Sequence, residues 1–396
     1  MSFESEKKSS TEKQKHVGII EIYPGHHVFV HTLGSILLRS GYKVTVFTTE
    51  SIYSDLVFLY EDQLDRINWV IKDNSQSEWS FIRSISNIID QKIDLLFLNT
   101  LQGRRISYFY FNLRTSVKTI IVAGRISEFF NFGYKLFNHK SIRSFLHHNY
   151  TNFFIQRILP KFSGMVVHTK QAKDFAIEND YSQPIILCPF SLYAEKKVNN
   201  HNAKNFNFVV TGNIVDTSRD HNAVLDVFES IWSSGYKDIQ LTVLTGARLN
   251  ENRPGEKYTK SIVDRMQSLK EKGHSIKFFH AWLSEDQYLK EARKADCFLS
   301  PLKYSYYSSG ELTSSIVEQI RQGKPGIYPK GYIPDPNIVS SSLFYSSNSE
   351  MKRLILDVYN DTDLRNELNK DAIKNSQYYD LSNTSKRFHE ELSRIN

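Results

Sequence analysis

Cysteine is scarce in this sequence. Only Cys188 and Cys297 occur among 396 residues, and both lie inside apolar segments. Two cysteines placed in this way form no disulfide framework, and their spacing fits no metal site. The sequence therefore predicts a reducing, cytoplasmic setting and no bound metal.

Long apolar runs are also missing. No segment approaches the roughly 18 consecutive apolar residues that a membrane-spanning helix needs. The first residues, MSFESEKKSSTEKQK, are charged throughout and lack the apolar centre of a secretion signal. We expect residues 1–14 to form a disordered tail.

The charge is moderately basic. The 50 Lys and Arg side chains against 43 Asp and Glu give a net charge of +7, with an isoelectric point near 9.0. This balance favours anionic ligands or an anionic membrane surface. It does not indicate nucleic acid, because no motif of the known nucleic-acid-binding modules occurs.

Short apolar, β-branched runs alternate with longer helical patterns along the chain, which predicts right-handed crossovers and parallel sheets. The polar stretch AEKKVNNHNAKN separates two such series and has the composition of a linker. We therefore expect an α/β fold with two doubly wound, Rossmann-like lobes that face a central cleft. The expected division is a first lobe over 15–193, a linker over 194–205, a second lobe over 206–362 and C-terminal helices over 363–396 that could cross back to the first lobe.

Residues 297–329, CFLSPLKYSYYSSGELTSSIVEQIRQGKPGIYP, predict an anion site. An apolar strand runs into a Tyr/Ser/Gly loop, and a helix begins near Thr313. Backbone N–H groups at a helix start have no partners within the helix, so they can bind a phosphate. Gly310 would allow close approach of the backbone. Glu318, about one and a half turns further on, could accept hydrogen bonds from ribose hydroxyls.

The second half resembles the nucleotide-sugar-binding lobe of GT-B glycosyltransferases of the glycosyl-transferase group 1 family. The matching segments are VVTGNIVDTSRDHNAVLDVFE, LTVLTG, IKFFHAWLSEDQYLKEARKADCFLSPLKY and SSGELTSSIVEQIRQGKPGIYP. The resemblance implies a metal-independent enzyme without a cofactor that moves a sugar from a nucleotide-sugar donor to a glycan, lipid-linked or other hydroxyl acceptor. A helix start and an arginine would take the place of a divalent ion in handling the diphosphate.

Position by position, the resemblance places Gly212 and Arg219 at the donor diphosphate, with the arginine supplying the positive charge. The alternative is that Arg219 pairs with Asp220 on the surface. His280 and Trp282 fall where the family contacts the base, although Trp282 could equally pack under the following helix. The remaining donor-binding residues implied by the resemblance are Ser309, Gly310, Glu311, Leu312, Thr313 and Glu318.

One departure concerns the paired glutamates that the family carries in this segment. Glu318 matches the second, but the position of the first is occupied by Gly310, and Glu311 lies one place away. The stereochemical outcome of the reaction is therefore left open. The alternative for Glu311 is a favourable charge in the first turn of a helix.

The first lobe is expected to hold the acceptor. In EIYPGHHVFVHT, Gly25 would let the backbone approach the donor, and His26 or His27 could act as the base that takes the acceptor proton. A surface position for these histidines is the alternative. In AGRISEFF, Arg125 could bind the acceptor and Glu128 could act in catalysis, but the two could also form a salt bridge across one helical turn.

Residues 125–162 are aromatic and basic, with ten Phe or Tyr and six Lys or Arg against one acid, Glu128. Such a stretch could contact an anionic membrane as a peripheral surface. Equally, it could cover the first sheet with its aromatic rings facing inward.

Two other functions stay open on the same fold. The missing first glutamate and a missing family histidine would suit a non-catalytic, glycosyltransferase-like binding subunit. A nucleotide-sugar epimerase would keep the fold and change the reaction.

Overall fold

The structure is a computed structural model. It describes residues 14–23, 26–99, 101, 105–130, 142–193, 205–244, 256–281, 283–303, 307, 309–332 and 335–395. The expected tail (1–14) and linker (194–205) therefore lie almost wholly outside the described residues.

The N-terminal lobe contains seven parallel strands in the order β3-β2-β1-β4-β5-β6-β7. The strands are β1 (His16–Glu21), β2 (Lys43–Thr49), β3 (Ile67–Lys72), β4 (Leu95–Leu98), β5 (Lys118–Val122), β6 (Gly164–Val167) and β7 (Ile185–Leu187). The helices are α1 (His27–Arg39), α2 (Glu50–Tyr60), α3 (Glu78–Lys92), α4 (Arg105–Asn112), α5 (Ser127–Phe130), α6 (Ile142–Ile158) and α7 (Lys170–Glu178), with 3-10 turns at Glu61–Arg66 and Leu159–Lys161.

The C-terminal lobe contains six parallel strands in the order β10-β9-β8-β11-β12-β13. The strands are β8 (Phe206–Thr211), β9 (Ile239–Leu244), β10 (Ile276–Phe278), β11 (Cys297–Leu299), β12 (Gly326–Pro329) and β13 (Ser342–Tyr345). The helices are α8 (His221–Ser233), α9 (Glu256–Glu271), α10 (Glu285–Ala292), α11 (Ser314–Gln322), α12 (Asn348–Asn360) and α13 (Thr362–Gln377), with a 3-10 turn at Pro336–Ser341; α14 (Leu381–Leu392) ends the chain.

Both sheets are covered on both faces, as parallel sheets require. In β1, Val17 and Ile19 belong to one buried cluster, whereas Ile20 and the following Ile22 belong to another. Because successive side chains of a strand point to opposite faces, the two clusters are the cores on the two sides of the sheet. The prediction of two doubly wound lobes is confirmed.

The chain returns to the N-terminal lobe at its end. Helix α13 packs on α11 in the C-terminal lobe, and α14 packs on α1 and β7. The Tyr42 hydroxyl lies 3.2 Å from Nδ1 of His389, and Glu391 accepts from the Leu187 amide at 2.6 Å. The last helix is therefore part of the N-terminal lobe.

The strand orders place a change of direction between β1 and β4 in one lobe and between β8 and β11 in the other. Ligands of open parallel sheets bind beyond the carboxyl ends of the strands at such points. No helix among the described residues is long and apolar enough to cross a membrane.

Candidate functional site

The start of α11 carries no negative charge in its own first turn. Thr313 is the N-cap residue, and its side chain accepts from the Ile316 amide. No acidic residue lies in the first turn, so the unpaired amides at the positive end of the helix dipole remain attractive to an anion. This is the helix start that the sequence predicts.

Gly212 lies where this helix start meets the loop after β8. Its φ angle is +92°, in the left-handed region. A Cβ atom there would lie 2.4 Å from Nη2 of Arg219 and 2.5 Å from Oγ of Ser314. Thr211, just before it, donates to Ser315 Oγ at 3.1 Å. Only glycine fits this junction, because any side chain would displace the arginine and the helix start.

Arg219 is a buried cation with unused donors. Arg219 is 7% exposed, and its Nε atom has no hydrogen-bond partner among the described residues. Within the described part of the chain, Nη1 contacts the Asn213 carbonyl, at 3.5 Å. No described carboxylate lies within ion-pair distance. The alternative of a surface pair with Asp220 is not found, because Asp220 instead caps α8 by accepting from the Ala223 amide at 3.0 Å.

His221 lies beside this arginine and was not singled out from the sequence. It is 3% exposed, and neither ring nitrogen has a hydrogen-bond partner. Burial, with Arg219 nearby, lowers the pKa of His221 to about 3, so the ring is neutral. In the sequence, only its position two residues after Arg219 could have indicated a role in the site, because burial of the ring depends on tertiary packing.

Glu318 lies inside a buried cluster of charges. It is 3% exposed. Its Oε2 accepts from Gln322 at 3.0 Å, and its Oε1 lies 3.6 Å from Nη1 of Arg321. Arg321 is closer to a second carboxylate, Glu285, at 2.9 Å. Burial raises the pKa of Glu318 against the attraction of Arg321.

Gly310 brings the two lobes together. Its φ angle is +84°, and a Cβ atom would lie 2.7 Å from the backbone nitrogen of Ala172 at the start of α7. Its carbonyl accepts from Thr169 Oγ1 at 2.7 Å. The close approach that the sequence predicts for this glycine is therefore made to the N-terminal lobe.

Glu311 precedes α11 and is 7% exposed, so it is not a first-turn charge of the helix. Its Oε1 accepts from Ser127 Oγ of the N-terminal lobe at 2.5 Å. Its Oε2 is buried without a hydrogen-bond partner. A buried carboxylate oxygen with no partner can accept a hydrogen bond from a ligand hydroxyl. The flanking Ser309 is buried and Leu312 is partly buried.

The N-terminal edge of the cleft carries histidines. His26 is the N-cap residue of α1, and burial, with Arg125 and His27 nearby, lowers its pKa to about 4. His27 is not at the surface, because its side chain is 13% exposed and its Nε2 lies 3.2 Å from Glu285 of the other lobe. Arg125 and Glu128 form the salt bridge that was the alternative for them, at 3.2 Å between half-exposed side chains.

The predicted base-binding residues are less informative. His280 is exposed at the end of β10, with its ring 4.9 Å from that of Phe278. Gly25 and Trp282 lie outside the described residues.

Comparison with known proteins shows the fold. No family model matches the sequence, and no curated protein sequence matches it. Among solved structures, HepE from Anabaena in complex with UDP and glucose is similar, with a TM-score of 0.67 at 13% identity over 96% of this chain and 100% of that one. The pneumococcal O-GlcNAc transferase GtfA in complex with UDP and GlcNAc has a TM-score of 0.61 at 8% identity over 97% and 99%.

A third similar structure is named as a UDP-N-acetylglucosamine 2-epimerase from Listeria monocytogenes, with a TM-score of 0.59 at 12% identity over 96% of both chains. Likeness at such low identity is evidence of architecture alone. The resemblance seen in the sequence is thus confirmed at the level of the fold: this chain has the GT-B glycosyltransferase fold.

Proposed function

We propose that the protein is a glycosyltransferase that moves a sugar from a nucleotide-sugar donor to a hydroxyl acceptor. The observation that carries the proposal is the buried Arg219 with unused donors at the start of α11, beside Gly212. A buried guanidinium binds phosphate oxygens strongly because its hydrogen bonds are charge-assisted and poorly screened. It would also stabilise the negative charge that develops on the departing nucleotide.

The remaining donor roles follow from position. Glu318 would accept from the ribose through Oε1, which lies 3.6 Å from Nη1 of Arg321. Glu311 would accept from a sugar hydroxyl through its unpartnered Oε2. Ser309, Leu312 and Thr313 would contribute the backbone around the phosphates, and His280 with Trp282 would contact the base.

The catalytic base and the acceptor site are proposed on the N-terminal lobe. A pKa of about 4 makes His26 neutral near pH 7, so the ring could take up a proton but would be only a weak base. His27 holds Glu285, which leaves less of its ring available to an acceptor. Arg125 would bind the acceptor, Glu128 would assist catalysis, and Gly25 would let the backbone approach the donor. Metal independence also stays a prediction, which is tested by measuring activity in EDTA.

The first test is a thermal-shift screen of UDP-, GDP-, ADP- and CDP-sugars. A ligand that binds only the folded protein raises its melting temperature by mass action. UDP-sugars are the first choice, because HepE and GtfA were both solved with UDP. We expect one nucleotide to stabilise the wild type, and we expect Glu318→Ala to lose the shift. The control is Glu367→Ala, which removes an exposed glutamate of α13 in the same lobe. The proposal fails if no nucleotide sugar stabilises the wild type.

Peripheral contact with an anionic membrane is a further part of the proposal. Four exposed aromatic side chains, Trp79, Phe111, Tyr150 and Phe153, lie on α3, α4 and α6, each at least 41% exposed. The ring of Phe154 lies among them, with its centroid 5.5 Å from that of Phe111 and 4.9 Å from that of Tyr150. Basic side chains at this aromatic patch are Arg83, Arg114, Arg157 and Lys161.

Aromatic rings with flanking cations suit the interface of an anionic bilayer. Two of the four exposed rings fall within residues 125–162, and the other two extend the surface beyond that stretch. Flotation with phosphatidylglycerol vesicles is expected to carry the wild type and to leave a Trp79→Ser/Phe111→Ser variant behind. Absence of wild-type binding to anionic vesicles would remove the membrane from the proposal.

An epimerase is the second candidate, supported by the likeness to the Listeria protein over 96% of both chains. An epimerase would convert a free nucleotide sugar without an acceptor. Incubation of the stabilising nucleotide sugar alone, followed by NMR of the sugar, separates the two reactions. We expect no conversion. Donor binding with neither conversion nor transfer would instead favour a binding subunit.

A further inference from the structure

The two lobes are joined by a chain of largely buried polar and charged side chains that ends at Glu318. His27 on α1 donates from Nε2 to Oε2 of Glu285 on α10, at 3.2 Å. The other oxygen of Glu285 accepts from Nη1 of Arg321 on α11, at 2.9 Å. The same Nη1 lies 3.6 Å from Glu318. Each of these side chains is 13% exposed or less.

Two carboxylates therefore share one guanidinium, and they share it unequally. Burial alone would raise the pKa of Glu285, but His27 and Arg321 outweigh it and hold the pKa below its ordinary value. The pKa of Glu318 is raised by burial, and Arg321 only partly offsets the effect. Glu318 is thus the less well compensated of the two, and the negative charge that makes it a strong acceptor for a ribose hydroxyl depends on Arg321.

The strength of the interaction between Arg321 and Glu318 depends on the N-terminal lobe. While His27 holds one oxygen of Glu285, Arg321 has to satisfy only the other. When the lobes separate, Glu285 loses His27 and competes more strongly for the guanidinium. Arg321 is then drawn toward Glu285, and Glu318, with less of its charge compensated, becomes a weaker acceptor for a ribose hydroxyl.

We propose that Glu285 and Arg321 are positioning residues that couple ribose binding at Glu318 to closure of the lobes through His27. This inference rests on the proposed function, since it takes the ligand of Glu318 to be a nucleotide. Coupling of this kind is reciprocal: closure favours nucleotide binding by the same factor by which the nucleotide favours closure.

The test is a double-mutant cycle on UDP affinity, measured by calorimetry, with the radius of gyration from X-ray scattering as a second readout. The variants are His27→Ala, Glu318→Ala and the double variant. The matched control is Asp286→Asn, because Asp286 lies in the same first turn of α10 but pairs with Lys290 at the surface. His27→Gln serves as the conservative variant, since its amide can still donate to Glu285.

We expect His27→Ala to weaken UDP binding by roughly fivefold or more, the low end of measured coupling, and to increase the radius of gyration of the free protein. In the Glu318→Ala background the same substitution is expected to change UDP affinity by less than about twofold. His27→Gln should recover part of the loss, and Asp286→Asn should match the wild type in both readouts. Independent effects of the two single substitutions, or an equal loss in Asp286→Asn, would overturn the coupling.

Failure of the proposed function looks different. If the wild type binds no nucleotide while His27→Ala still opens the free protein, the proposed function fails and the inference, which rests on it, fails with it. If UDP binds but His27→Ala leaves the radius of gyration and the UDP affinity unchanged, the proposed function survives and the coupling is wrong.

Discussion

The first strand of each lobe leads through a loop into a buried helix, but the two loops bring different groups to the cleft. In the N-terminal lobe the loop ends at His26, whose pKa of about 4 leaves the ring neutral near pH 7. In the C-terminal lobe the loop begins at Gly212 and carries the buried Arg219. One lobe therefore offers neutral polar groups and the other a permanent positive charge.

The arginines of the two lobes differ in the same way. Arg125 of the N-terminal lobe is half exposed and paired with Glu128 at 3.2 Å, so solvent and its partner reduce its effect on a ligand. Arg219 is buried, and no carboxylate of the described residues lies within ion-pair distance. This difference teaches that an arginine can attract an anion strongly where it is buried and has no carboxylate partner, and only weakly where it is exposed and paired.

Low pH should reduce this difference between the lobes, because it adds positive charge to histidines of the N-terminal lobe. Burial lowers the pKa of His168, whose Nδ1 lies 3.0 Å from the Cys188 carbonyl, to about 4, against 6.5 for the free side chain. Between those values the unfolded chain binds more protons than the folded one, so this stability is present above pH 6.5 and is lost as the pH falls through 4. The loss amounts to at most about 3 kcal/mol for such a group.

His26 and His31, which are partly buried and whose pKa values are also about 4, add to the effect. Urea unfolding at several pH values from 7 to 4 should show a steep fall in the free energy of unfolding. In His168→Phe the fall should be shallower, whatever the variant's stability at pH 7. Parallel pH profiles for the two proteins would show that His168 carries none of this dependence.

Removal of the unpaired charge tests the other half of the comparison. Arg219→Met should lower UDP affinity by about 10- to 100-fold, because it removes charge-assisted hydrogen bonds worth about 1.5 to 3 kcal/mol. Arg125→Met should leave UDP affinity within about twofold and raise only the KM for the acceptor. Calorimetry with UDP measures both variants. Equal losses in both would show that the two arginines do not differ in role.

The sequence predicts the long apolar strands and also short ones such as β11, which has three residues, but it misses two edge strands. The runs that became β1, β2, β8 and β9 are six or seven residues long and nearly all buried. The two edge strands that escaped prediction, β7 and β13, have three and four residues and only partial burial. A run that is both short and only partly buried gives too weak a pattern to separate a strand from a loop.

The candidate site divides along a similar line. Gly212, Arg219 and Thr313 could be singled out because each lies in a local motif of strand, loop and helix. The contacts across the cleft join residues 258 positions apart for His27 and Glu285, and 184 positions apart for Ser127 and Glu311. No local pattern encodes such a pair, because it depends on how the finished lobes meet.

The contact between Ser127 and Glu311 supports the smallest predicted effect. Ser127→Ala removes the hydrogen bond to Oε1, and Oε2 already has no partner, so the buried carboxylate would lose its bond to the N-terminal lobe. We expect the free energy of unfolding to fall by about 1 kcal/mol, as measured by urea unfolding at pH 7.

Ser261→Ala is the matched control, since Ser261 donates to the Tyr258 carbonyl at 2.8 Å at an exposed position within one lobe. Its effect should be clearly smaller, because water replaces an exposed hydrogen bond more readily than one made to the mostly buried Glu311. Saturating donor should restore part of the stability lost in Ser127→Ala beyond the gain in the control, because a sugar hydroxyl would then occupy Glu311. Identical behaviour of the two variants would mean that Glu311 contributes neither to the contact between the N-terminal and C-terminal lobes nor to donor binding.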